Sequence, residues 1–232
     1  MRSSPAQVAL LVVAAFAAAE ALRSTVVRTS LGTAKGKIYK SSNGGDGEAL
    51  VFLGLPYAAP PVGALRYRQP QDPKPWSRIL DASEYRSGCL SNTSFTTSPQ
   101  TDIDEDCLYV NVFADRRCGK RSHAPCPVLF YIHGGGYSFD SASMFPVQAL
   151  VDHFATRELV FVTVGYRLGS FGFLDLGSDD VVNRNIGFYD KIKALEWVQR
   201  EIGKFGGDPK KVTIMGHSSG SMSSTIISWT LM

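Results

Sequence analysis

Two textures of apolar and polar positions divide the chain. Residues 25–28, 37–39 and 49–53 are short β-prone runs broken by turn chemistry such as Asn43-Gly44-Gly45, which predicts an antiparallel meander. Residues 56–75 carry Pro60-Pro61, Pro70, Pro73 and Pro75. Proline lacks the N–H that a ladder or helix needs, so this stretch is expected to wrap the surface without regular structure. Beyond residues 108–113, the runs 128–132 and 159–164 are continuously apolar rather than alternating, the pattern of strands covered on both faces of a parallel sheet. Ile192, Leu195, Val198 and Ile202 recur at helical spacing, with Lys191, Lys193, Glu196 and Arg200 assigned to the opposite, solvated face. Gly206-Gly207-Asp208-Pro209 ends that helix, residues 212–215 read as a strand, and a helix of small residues begins after Ser218. Strand, helix, strand, turn, helix is the order of an α/β sheet. No internal repeat, low-complexity tract or second domain interrupts it.

Composition narrows the class. With 232 residues, 44% hydrophobic and 19% charged, the chain can bury the core of one globular unit. Its net charge of +3 is dispersed, with no run longer than Arg116-Arg117 or Lys210-Lys211, so a nucleic-acid partner is not expected. At the N-terminus Arg2 precedes an apolar stretch over residues 8–19, and Ala19-Glu20-Ala21 matches an A-x-A cleavage site. Residues 1–21 therefore read as a signal peptide too short to span a bilayer, and residues 22–232 as the secreted unit, without a membrane span. Cys89, Cys107, Cys118 and Cys126 are even in number and lack C-x-x-C spacing, which favours disulfides over a metal. The sequence leaves the pairings open, neighbour with neighbour being the simplest. Asn92-Thr93-Ser94 is a sequon, making Asn92 a candidate glycosylation site.

The chemistry concentrates in two glycine-rich segments. Gly216-His217-Ser218-Ser219-Gly220 is a G-x-S-x-G, by itself a weak signal. Its context strengthens it, because a nucleophilic serine of this kind stands on a sharp strand-to-helix turn, with small neighbours where strand and helix nearly collide. His133-Gly134-Gly135-Gly136 directly follows the apolar run 128–132. Such a run lets backbone N–H groups approach a bound acyl group and point at an oxyanion. No G-x-G-x-x-G or G-K-[ST] is present, so phosphate cradling is not expected and no cofactor is implied.

Further motifs lie in a recognisable order: Phe52-Leu53-Gly54-Leu55-Pro56-Tyr57-Ala58, Pro60-Pro61-Val62-Gly63 with Leu65-Arg66-Tyr67, and Glu105-Asp106-Cys107-Leu108-Tyr109-Val110-Asn111-Val112. The His133 glycine run follows, then Tyr166-Arg167, Phe171-Gly172-Phe173-Leu174, Asn185 with Gly187 and Asp190, and Phe205-Gly206-Gly207-Asp208-Pro209. In these stretches the chain resembles the type B carboxylesterases, the group that includes the cholinesterases, as its N-terminal portion. The resemblance implies an α/β-hydrolase fold, with a mostly parallel central sheet and N-terminal antiparallel strands, truncated after the nucleophile elbow. It implies a small carboxylic ester as substrate, Ser218 as the residue that forms the acyl-enzyme, and an oxyanion hole of backbone N–H groups from Gly135, Gly136 and Ser219. A Cys89–Cys107 disulfide and structural ion pairs of Arg66 with Glu105 and Arg167 with Asp190 follow from the same likeness.

Departures from the family are equally specific. His217 stands where a glutamate is frequent, Ser219 replaces an alanine, and Asp140 replaces a small residue after the glycine run. The segment between Cys89 and Cys107 has no tryptophan, the residue that holds the choline ammonium in cholinesterases, so choline esters are not the expected substrates. Alpha/beta hydrolases order their triad as serine, acid, histidine, yet residues 219–232 contain no Asp, Glu or His. The acid and base are expected beyond Met232, and the 232-residue chain alone is expected to be poorly soluble and to turn over no ester. An intact Ser218 favours the enzyme over a non-catalytic adhesion protein on the same fold.

Overall fold

The computed structural model describes residues 24–96, 98, 102–120 and 123–230; the signal peptide expected at residues 1–21 lies outside them. Ten strands are seen among these residues: β1 (Ser24–Arg28), β2 (Thr33–Lys40), β3 (Glu48–Pro56), β4 (Leu80–Asp81), β5 (Gly88–Cys89), β6 (Ile103–Asp104), β7 (Tyr109–Asp115), β8 (Cys126–Ile132), β9 (Val160–Val164) and β10 (Gly207–Gly216). The helices are α1 (Val147–His153), α2 (Gly169–Phe173), α3 (Ile186–Glu201) and α4 (Ser219–Thr230). The main sheet runs β1-β2-β3-β7-β9-β8-β10, with β4 beside β2, while β5 and β6 form a separate ribbon.

The two textures of the sequence become two halves of this sheet. β1, β2, β3 and β7 pair antiparallel in succession and join β9 antiparallel, whereas β9, β8 and β10 lie parallel. All five residues of β9 are buried. The reason is visible in the core: Val128, Phe130 and Ile132 of β8 pack with Trp197, Val198 and Ile202 on one face. Tyr131 faces the other way, with Leu150 and Val151 of α1. Helices thus cover both faces, so neither face has to be polar.

The α3 reading needs one correction. Ile186 and Leu195 are buried as part of its apolar stripe, and Glu196 and Arg200 face solvent, but Lys191 is fully buried. Its position, four residues after Gly187 and three before Ala194, puts it on the face that α3 turns towards the sheet. The helix also starts earlier than its apolar period, at Ile186, after Asn185 in the left-handed region at φ 57°.

Two buried disulfides join Cys89 to Cys107 and Cys118 to Cys126. Arg167 is held by Asp190 through Nε–Oδ2 at 2.8 Å and Nη2–Oδ1 at 2.6 Å, with both side chains buried. Arg66 and Glu105 also pair through two bonds, but the arginine side chain is 44% exposed. Asp140 is buried in the left-handed region at φ 78°, where its Oδ1 accepts from the N–H of Ser141 and the hydroxyl of Thr96. That carboxylate links the loop after β8 to the segment between Cys89 and Cys107.

Candidate active site

β10 lies parallel to β8 with Gly216 opposite Ile132, so the two strands reach the same sheet edge in register. His133 begins one loop there and His217 the other. Only His217 and Ser218 separate β10 from α4, so the chain reverses within two residues. Ser218 accomplishes this at φ 54°, a left-handed conformation that costs a residue with a Cβ on the order of 1–3 kcal/mol. The turn is over-determined: Gly220 N–H donates to His217 O at 2.8 Å, and Ser221 N–H to Ser218 O at 2.9 Å. A Cβ on Gly216 would lie 2.2 Å from Gly220 C, and one on Gly220 would lie 2.1 Å from Ile132 O. Strand, turn, helix and the neighbouring strand therefore meet backbone to backbone, leaving Ser218 exposed at the edge.

The glycine run passes directly over this turn. A Cβ on Gly134 would come within 2.8 Å of His217 O and 3.2 Å of Ser218 Cβ. Gly135 takes φ 92° and Gly136 φ 58°, and Gly135 O accepts from the N–H groups of Ser138 and Phe139 at 2.9 and 3.1 Å. Ser219 is the first residue of α4, whose leading N–H groups have no partner within the helix and carry the positive end of its dipole. Among the described residues, no acceptor meets the N–H of Gly135, Gly136 or Ser219. Three unpaired donors thus belong to the two segments that flank one exposed hydroxyl.

His133 is buried, stacked on Tyr166 with ring centroids 4.4 Å apart, and its Nδ1 lies 3.0 Å from Gly134 O. Burial pushes its imidazole down to about 3, so it stays neutral at ordinary pH. His123 lies 3.7 Å from Glu158, and His153 ends α1. His217 points from an exposed turn position. Among the described residues, no carboxylate or imidazole hydrogen-bonds the Ser218 hydroxyl, and no group of three or more His, Cys, Asp and Glu is arranged to hold a metal ion. Asn92 is exposed, and its Oδ1 accepts from the N–H of Ser94.

Residues 23–230 match the model of the carboxylesterase family. The chain belongs to that family. It is 39% identical over 208 residues to esterase cest-33 of Caenorhabditis elegans, covering 87% of this chain and 36% of the relative. A carboxylic ester hydrolase of Bombus ignitus is 42% identical over 200 residues, covering 85% and 34% of the two chains. Among solved structures, the juvenile hormone esterase of Manduca sexta, determined with OTFP covalently attached, superposes with TM-score 0.79 at 32% identity over 88% of this chain and 38% of that one. This member of the carboxylesterase family spans about a third of the length of the curated relatives it matches.

Proposed function

We propose that the complete protein hydrolyses small carboxylic esters by acyl transfer through Ser218. The observation that carries this reading is the juxtaposition of an exposed, left-handed Ser218 with the unpaired N–H groups of Gly135, Gly136 and Ser219. The Ser218 Oγ attacks the ester carbonyl as its proton passes to a base, and the carbonyl oxygen gains the negative charge. Donors fixed in place before reaction stabilise that charge without reorganising, and one such donor is typically worth about 100- to 1000-fold in rate. Collapse of the tetrahedral adduct expels the alcohol, which takes up a proton, and water then releases the acid from the acyl-enzyme. The acid and the base come from outside the 232 residues in this reading. The chain accordingly contributes the nucleophile and the oxyanion site, and its 232 residues alone are inactive. Uncharged esters suit it better than choline esters, because the segment between Cys89 and Cys107 brings no tryptophan face for a quaternary ammonium.

The two disulfides and the A-x-A pattern before residue 22 support a route through the secretory pathway, with exposed Asn92 as the site of a glycan. The deciding experiment uses a form extended to the relatives' length and a series of p-nitrophenyl esters of increasing acyl length. Turnover should appear in that form and fall by roughly a millionfold in Ser218→Ala, as for loss of a serine nucleophile elsewhere. Absence of turnover across the series, or an unchanged rate in Ser218→Ala, would end the proposal.

A further inference from the structure

The buried lysine of α3 sits behind the glycine loop in an unusual setting. Lys191 is 0% exposed, and its Nζ has no hydrogen-bond partner among the described residues. Four ring faces surround it instead: Tyr166 at 3.6 Å from Nζ to the centroid, Phe188 at 4.7 Å, Tyr137 at 5.1 Å and Phe173 at 5.4 Å. All four lie within the roughly 6 Å over which a ring quadrupole attracts a cation. The rings also touch one another, Tyr137 with Phe173 and Phe188, and Phe173 with Phe188.

Two of these rings belong to the machinery that shapes the loop. Tyr137 follows Gly136 directly and is itself left-handed at φ 62°, while its carbonyl accepts from the N–H of Gly169 at 2.7 Å. Tyr166 donates its hydroxyl to His133 O at 2.9 Å and stacks on the His133 ring. The glycine run is therefore gripped at both ends, at His133 and at Tyr137, by side chains whose faces meet on one ammonium.

We propose that Lys191 is a positioning residue for the oxyanion loop, its ammonium clamping Tyr137 and Tyr166 so that the N–H groups of Gly135 and Gly136 are held in place. The proposal deepens the esterase reading and rests on it for its catalytic consequence, though not for its mechanical one. The clamp works only while the amine is charged. Burial pushes Lys191 down to about 7, which the ring faces and neighbouring Asp190 oppose. The charged or titratable groups around it are Asp190, already paired with Arg167, together with His133, Tyr137 and Tyr166. His133 is neutral here, and burial raises Tyr166, so Lys191 is the group in this shell that titrates near neutrality. Rising pH removes its proton and loosens the grip.

Lys191→Met tests this, because Met fills the stem's space without a charge, and replacing an unpaired buried charge with an apolar side chain does not threaten the fold. Hydrogen exchange at the amides of residues 134–138 should quicken severalfold in the variant. In the extended form, kcat should fall by about 10- to 100-fold with KM nearly unchanged, the scale of a misplaced reacting geometry. The ratio of wild-type to variant kcat should shrink as pH rises through about 7. Phe188→Leu, which removes one ring from α3 and leaves the loop residues intact, should move exchange and kcat in the same direction by less. Unchanged loop exchange in Lys191→Met would overturn the proposal, as would a kcat loss whose ratio is flat with pH, since that marks a packing role alone. Absence of ester turnover in the extended wild-type form would instead sink the esterase reading, and the exchange comparison would still decide the clamp.

Discussion

The inner junction of β8, β10 and α4 and the outer rim of the same sheet are built in opposite ways. At the junction, Gly216, Gly220 and Gly134 bring backbones so close that no Cβ fits, and Ser218 is held in a strained conformation by hydrogen bonds on both sides. At the rim, β10 has β8 as its neighbour on one side and no strand on the other among the described residues. On α4, which packs against β10, Met222 and Trp229 remain 60% and 80% exposed. The difference teaches how locally the proposed nucleophile and oxyanion donors are encoded. In the proposed reading, nucleophile and oxyanion donors come from one strand-turn-helix and one loop, whereas the exposed side of α4 that bears Trp229 takes no part in that junction.

The comparison can be broken first at the buried support of the junction. Arg167→Met strands the Asp190 carboxylate in the core and should cost about 3–5 kcal/mol, read from the urea midpoint of the extended form. The partly exposed counterpart, Arg66→Met, should cost no more than about 1 kcal/mol. Equal losses would mean that burial is not what separates the two pairs. Next, Gly220→Ala sets a Cβ against Ile132 O; it should cost about 1–3 kcal/mol and reduce ester turnover by on the order of 100-fold. A fully active Gly220→Ala would show that the junction is looser than its distances imply. The smallest effect belongs to the rim, where Trp229→Ser should change stability by no more than about 0.5 kcal/mol while raising the soluble yield of the 232-residue chain. A large loss of stability there would show that the rim is already packed.

Much of this architecture was legible in the sequence because each feature left a periodic or steric signature. Continuous apolar runs marked β8 and β9, since helices on both faces remove any need for alternation. The elbow was legible through Gly216 and Gly220, which are there because strand and helix collide. α1 and α2 were not, being helices of 7 and 5 residues with too few turns to show a period. The burial of Lys191 was illegible for a different reason. A lysine on an amphipathic helix is assigned to solvent by default, and the rings that receive it come from positions 137, 166, 173 and 188, on four different segments. Only Phe188, three residues earlier on α3, is local, and one ring does not announce a cage assembled by the fold.

The most direct test of the central claim, that Ser218 is the nucleophile of an oxyanion site whose base is not among the described residues, is covalent capture of Ser218. A fluorophosphonate probe would be applied side by side to the 232-residue chain and to a form extended to the relatives' length, and the modified residue located by peptide mass. The account predicts rapid labelling of the extended form at Ser218, lost in Ser218→Ala, and little or none of the 232-residue chain, in which no base hydrogen-bonds that serine among the described residues. Equally rapid labelling of both forms, or labelling of the extended form at any other residue, would contradict it.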